Sequence, residues 1–307
     1  MVDKVSTRMF FDSSAKLFAR IQNEAARTQA QLSTGLQLLK PSDEPDKAVT
    51  VNRINSAISR QDSIEKALGV IRTRLSAQEV SLRGVSDMMA RLKELAIQAS
   101  NDTYSTQQLQ ALAEEAIGIR ASLTAAANAR DELGGYLFAG TRTGAAPFAS
   151  AGNGGGYEGD STRTTLSDLT NGETVSTQPG TDVFGGLKRP GDAGLEKISF
   201  FQSVDEFVSA LESGDRSNVQ RAIGEMDELG QSVNLGLANL GARQVAIDRQ
   251  QSLVSETRLR LQETLSNTQD LDYASAVTKL NQQMLALESG MNSFAKLSQL
   301  NLFSILR

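Results

Sequence analysis

One row of mostly apolar residues runs from Ile54 to Ala99 without slipping. It reads Ile54, Ala57, Gln61, Ile64, Leu68, Ile71, Leu75, Gln78, Leu82, Val85, Met89, Leu92, Ala96 and Ala99, in alternating steps of three and four. Such steps keep a stripe on one face of a helix, and a stripe held this long specifies a rod that must lie against other helices. At 1.5 Å per residue the row covers roughly 70 Å, far more than one compact domain needs. The pattern therefore predicts a building block or a spacer before it predicts a catalyst. Gln61 and Gln78 interrupt the apolar row; either they fix its register as buried polar residues or they sit at its edge.

Composition narrows the chemistry further. The 307 residues suffice for about two or three domains on the usual length prior. Apolar residues make up 39%, yet aromatics only 5%, with no tryptophan, which fits thin helical layers of Ala, Leu, Ile and Val. Thirty-six acidic against 31 basic side chains leave a net charge of −5 with no basic cluster, which argues against a nucleic-acid or anionic-membrane surface. The absence of cysteine and histidine excludes disulfides, thiol nucleophiles and Cys/His zinc sites, and removes the commonest general acid–base side chain near neutral pH. No cofactor is expected. Residues 1–14 carry charges and hydroxyls where a signal peptide carries an apolar run, and no segment reaches the apolar length of a membrane span. The expectation is a protein without membrane insertion that stays in the cytoplasm or leaves by a route that cleaves no signal.

Along the chain, a first helix is expected over about 11–33, with Phe11, Ser14, Phe18, Ile21, Ala25, Thr28 and Leu32 as its seam and Gly35 as its stop. Pro41 and Pro45 then impose an extended break before the long rod. Ser105 and Gln108 form a capping-box pattern that opens a third helix, read as running through Arg130 and Leu133 to Gly134-Gly135 and making a hairpin with the rod. From 136 to about 201 the pattern changes. Tyr136-Leu137-Phe138 reads as a short strand, and glycine-rich turns with threonine-rich stretches describe a small β-rich module whose core is drawn from Tyr157, Leu166, Leu169, Val175, Val183, Phe184, Leu187 and Ile198. Helix resumes at Ser203, with Glu206 completing a second capping-box pattern, breaks at Ser213-Gly214-Asp215, and continues as a second long helix to about 265. The last helix has the seam Val277, Leu280, Met284, Leu287, Met291 and Phe294. The expected fold is mainly α: a long antiparallel helical bundle or coiled coil, its terminal helices paired, with a small β-rich domain inserted in the middle. The expected division is a terminal coiled-coil assembly domain (1–45 and 266–307), a helical rod domain (46–140 and 203–265) and an inserted β-rich outer domain (141–202).

Several motifs resemble those of one family. Leu32-Ser33-Thr34-Gly35-Leu36 followed by Lys40-Pro41-Ser42-Asp43-Glu44-Pro45 resembles the N-terminal signature of bacterial flagellins and hook-associated proteins. Asp270-Leu271-Asp272-Tyr273-Ala274 is similar to the family's D-x-D-x-A element, and Leu240-Gly241-Ala242-Arg243 to its L-G-A stretch. The Pro-Ser-Asp-x-Pro form of the joint, Gly135-Tyr136-Leu137-Phe138-Ala139-Gly140-Thr141, and the tail from Phe294 to Phe303 resemble the hook–filament junction branch more than flagellins proper. The resemblance covers both helical arms and not the centre. It implies a structural, non-enzymatic subunit of the bacterial flagellum, extracellular at the hook–filament junction, with a flagellin filament subunit as the alternative. The partners it implies are other copies of the chain in a ring, the first hook-associated junction protein, flagellin, a cytoplasmic export chaperone and the flagellar type III export apparatus.

Site expectations follow from both readings. The terminal seams are expected to pack between subunits through Phe11, Phe18, Ile21, Leu32, Leu280, Leu287, Met291 and Phe294. The apolar tail residues Leu302, Phe303, Ile305 and Leu306 are expected to dock on neighbouring subunits, because an apolar chain end frays unless something covers it. Asp270 and Asp272 lack a third oxygen-rich neighbour and read as a hydrated helix joint, not a metal pair. Glycines 152–156 have no following Gly-Lys-Ser/Thr and read as a surface turn, not a phosphate cradle.

Overall fold

In the computed structural model, the described residues are 2–148, 156–162, 165–168, 172–175, 179–191 and 194–305. They form six α-helices: α1 (Val2–Thr34), α2 (Pro45–Ala99), α3 (Thr106–Ala127), α4 (Phe200–Ser213), α5 (Arg216–Gln269) and α6 (Tyr273–Ile305). Four short strands make two antiparallel hairpins, β1 (Thr165–Asp168) with β2 (Gly172–Val175), and β3 (Leu187–Gly191) with β4 (Gly194–Ile198). The fold is mainly α, as expected. The chain divides into two compact units, residues 1–62 with 255–307, and residues 63–254.

The larger unit is built on the long row of α2. From Leu68 onward the row is buried residue by residue through Leu75, Leu82, Val85, Met89 and Leu92 to Ala99. Gln78 lies fully buried within it, and its amide donates to the Leu137 carbonyl at 2.8 Å. Gln61, by contrast, is half-exposed. On α5, Met226, Val233, Leu240, Ile247 and Val254 are buried at strict seven-residue spacing, which marks the stripe that faces the bundle. Helix α3 opens with the expected capping box, the Ser105 hydroxyl accepting from Gln108 N–H while the Gln108 side chain accepts from Ser105 N–H.

Three local expectations are corrected. Helix α3 ends at Ala127, before Arg130, and Leu133 stands 91% exposed on a turn whose N–H groups at Leu133 and Gly135 donate to Asp131. Tyr136-Leu137-Phe138 forms no strand, only an isolated bridge from Arg130 to Tyr136. Its backbone groups go to scattered partners, Leu137 N–H to the Ala129 carbonyl and Phe138 carbonyl to Gly180 N–H, while Leu137 and Phe138 side chains are buried. Helix α4 begins one turn earlier than expected, capped by Ser199; Ser203 is fully buried and donates to Glu225.

Nor do the residues of the central segment keep a core to themselves. Val183, Phe184, Leu187 and Ile198 are buried in the same cluster as α2, α3, α4 and α5. Phe138, Phe148, Phe184, Phe200 and Phe201 pack there mostly edge-on, with ring centroids 5.1–5.5 Å apart, while Phe184 and Phe201 stack at 6.1 Å. Leu169 lies outside the described residues, as do Gly152, Gly154 and Gly155 of the glycine run, and the side chains of Leu166 and Val175 are not described. Two partly buried ion pairs fasten the layers. Arg120 on α3 grips Asp205 on α4 at 2.6 and 3.0 Å and covers the Phe201 ring at 5.2 Å. Arg189 on β3 grips Glu225 on α5 at 2.8 and 2.9 Å and reaches Glu206 on α4 at 2.6 Å.

Candidate assembly interface

The smaller unit holds α1 and α6 side by side. Each is a 33-residue helix. Phe294 meets Phe11 and Phe18 edge-on at 5.1 and 5.7 Å, while Gly35, just past the end of α1, lies against Tyr273 at the start of α6. Those contacts make the pair antiparallel. Gly290 permits the approach, because a Cβ there would stand 2.7 Å from the Phe18 ring.

The seam on α1 is the expected one. Phe11, Ser14, Phe18, Ile21 and Leu32 are half-buried, and Ala25 and Thr28 are buried. On α6 the register differs from expectation. The inward row is Ala276, Leu280, Gln283, Leu287, Gly290 and Phe294, and the apolar residues Val277, Met284 and Met291 stand beside it, 46%, 54% and 50% exposed. The Phe18 ring supplies the reason at its own level: it fills the seam there and leaves no room for a side chain opposite, which Gly290 satisfies. The mid-helix glycine at 290 was the available sign of that close approach. Gln283 is the exception, its Oε1 buried with no hydrogen-bond partner among the described residues.

Between the helices and their continuations lies a stitched joint. Gln37 N–H donates to the Gln269 carbonyl at 2.8 Å and Leu271 N–H to the Gly35 carbonyl at 2.9 Å, so Leu36 and Asp270 form an antiparallel bridge. Gly35 takes a left-handed φ of 72°, and a Cβ there would stand 2.7 Å from the Tyr273 hydroxyl. Pro45 is the first residue of α2, where its missing N–H costs nothing. Arg27 pairs with Asp43 at 3.3 Å across the joint.

Asp272 caps α6. Its Oδ1 accepts from Ala274 and Ser275 N–H at 3.0 and 3.2 Å, and its Oδ2 from the Ser275 hydroxyl at 2.7 Å. The Ser275 hydroxyl and backbone bonds hold its carboxyl below the usual range. Asp270 accepts instead from Ser266. A cleft of about 730 Å³ beside the joint is lined mostly by polar residues, Glu24, Gln31, Gln37, Asp270 and Lys279 among them. Among the described residues no three acidic groups converge as a metal site would require.

The site residues expected from sequence thus fall into three groups. Phe11, Phe18, Ile21, Leu32, Leu280, Leu287 and Phe294 come together within one chain along the α1–α6 seam. Met291 lies off the seam and is exposed. Leu302, Phe303 and Ile305 belong to α6, their side chains not described, and Leu306 lies outside the described residues. Sequence reasoning missed Val277 and Met284 as exposed apolar residues, having assigned them inward.

Comparisons with known proteins agree with one another. The bacterial flagellin N-terminal helical region matches residues 5–143. Flagellar hook-associated protein 3 of Salmonella typhimurium is 26% identical over 99% of this chain and all of its own length. Its counterpart in Escherichia coli is 23% identical over 98% of this chain and 99% of its own. The fold is similar to the crystal structure of Xanthomonas campestris FlgL, with a TM-score of 0.60 at 21% identity, covering 70% of this chain and 99% of that one.

Proposed function

From the match of residues 5–143 to the bacterial flagellin N-terminal helical region and the similarity to flagellar hook-associated protein 3 over 99% of the chain, we propose that this chain belongs to that family as a hook-associated junction protein. It connects the hook side to the flagellin filament by helix packing of its N- and C-terminal arms, and it does no catalysis. In this reading residues 1–45 and 266–307 are the assembly domain, 46–140 and 203–265 the helical rod, and 141–202 the outer insertion. Copies form a ring between the first hook-associated junction protein and flagellin, outside the cell. The chain arrives through the flagellar type III export apparatus, guided by a cytoplasmic chaperone.

The observation that carries the reading is the thinness of the α1–α6 pair. Only Ala25, Thr28 and Ala276 are buried among its described side chains, and an apolar row on α6 stays in water. Two paired helices with so little buried area gain stability chiefly from further neighbours. The expected interface residues are Phe11, Phe18, Ile21, Leu32, Leu280, Leu287, Met291 and Phe294, together with the tail residues Leu302, Phe303, Ile305 and Leu306. The test is deletion of the chain from its own bacterium. Cells that keep their hooks, lack filaments and release flagellin into the medium support the junction role. Cells with normal filaments overturn it. The alternative, a filament subunit, is distinguished by purified protein, which would then grow into long filaments unaided.

A further inference from the structure

We propose that the α1–α6 pair carries two unlike flanks and that copies join head to tail, the Val277–Met284–Met291 row of one copy packing on the Leu17 flank of the next. This rests on the assembly role proposed above and adds which surface meets which. The seam residues define the flanks. On α1 the sevenfold rows are Phe11, Phe18, Ala25 and Leu32, and, three residues on, Ser14, Ile21 and Thr28. On α6 they are Leu280, Leu287 and Phe294, and, three residues on, Gln283 and Gly290, with Ala276 one repeat earlier. In an antiparallel pair, positions just after the second row share one flank, and positions just before the first row share the other.

The two flanks differ in chemistry. The first carries Val277, Met284 and Met291 from α6 beside Ala15, Gln22 and Gln29 from α1, with no charge among them. The opposite flank carries Leu17 and Glu24 from α1 beside Lys279, Ala286 and Ser293 from α6. The cleft beside the joint agrees with the partition, since Glu24, Lys279 and Gln31, the last being the position just before Leu32 and so on the same flank, line it together.

Position along the axis completes the match. Gly290 lies against Phe18, so Met291 and Leu17 sit at one level on opposite flanks, 50% and 54% exposed. At that level the second flank offers one leucine between the small residues Ala286 and Ser293, a seat into which a flexible thioether can mould. Unlike patches at one level are brought together by rotation alone, and repeated rotation closes a ring. A second copy of the chain is therefore the occupant.

The test exploits the lack of native cysteine. L17C, M291C and the double variant L17C/M291C are expressed in the deletion strain, and isolated flagella are treated with a mild oxidant. The expected result is a ladder of covalent oligomers from the double variant and monomers from each single variant. Dimers from either single variant would mean that like flanks meet, and would overturn the proposal. So would a double variant that enters the flagellum without cross-linking. Should L17C/M291C fail to enter, E24C/M284C, one level nearer the joint, carries the same readings. A wild-type chain that never enters flagella would instead remove the assembly role itself.

Discussion

Glu225 shows how a single side chain can hold three elements together. It is 8% exposed, accepts both arms of Arg189 from β3, and accepts the Ser203 hydroxyl from α4. Removing Glu225 leaves Arg189 with Glu206 as its remaining partner and deprives the buried Ser203 hydroxyl of its acceptor, a loss of about 1–3 kcal/mol. Glu225→Ala is accordingly expected to lower stability by about that amount, read as a lower urea midpoint. Glu225→Gln, which keeps the hydrogen-bonding shape, is expected to fall in between. Nothing in the sequence singled this pair out, because Arg189 and Glu225 are 36 positions apart and sit in patterns that read as a turn-rich strand and a solvated helix face.

At the scale of elements, α6 is the informative case. Its inward row contains Gln283, whose Oε1 is buried without a partner among the described residues, in a seam otherwise closed by Leu280, Leu287 and Phe294. A buried carbonyl oxygen without a partner opposes pairing by roughly 1–3 kcal/mol. Gln283→Leu is therefore expected to strengthen the α1–α6 pair, seen as greater helicity and a higher melting temperature in the free protein. The same residue explains why the register of α6 was illegible. Its two candidate rows differ by one position, and the row with more apolar residues is the one left in water. Hydrophobicity alone cannot see that the Phe18 ring on α1 demands a glycine opposite it. Where a row had no rival the sequence was readable: the α2 seam and the Ser105–Gln108 cap both stand as read. Tyr136-Leu137-Phe138 failed for another reason, since strand-forming side chains say nothing of where their backbone partners lie.

Over the whole molecule, stability is unevenly shared. The unit of residues 63–254 contains the large shared core with its phenylalanine cluster, whereas the unit of the two chain ends has a half-exposed seam. Local opening follows such differences in burial. Amide hydrogen exchange is expected to be fast through α1 and α6 in dilute protein, slow through residues 68–99 and 219–254, and slowed throughout α1 and α6 once copies assemble. Equal protection of both units in the free chain would contradict the assembly role of the ends. The breaks between helices were legible, because Pro41, Pro45 and the Asp270–Asp272 element mark them, whereas the two compact units part within α2 and α5, at 62/63 and 254/255. The sharing of one core between the central segment and the helices was not legible, since nothing in periodicity tells an insertion with its own interior from one that borrows a neighbour's.

The equal lengths of α1 and α6, set antiparallel from a common joint, bring the first and last described residues to the same end of the pair. Donor and acceptor dyes on the two termini would thus transfer energy efficiently only while the helices stay zipped. A single labelled chain becomes its own gauge of when that zipper closes.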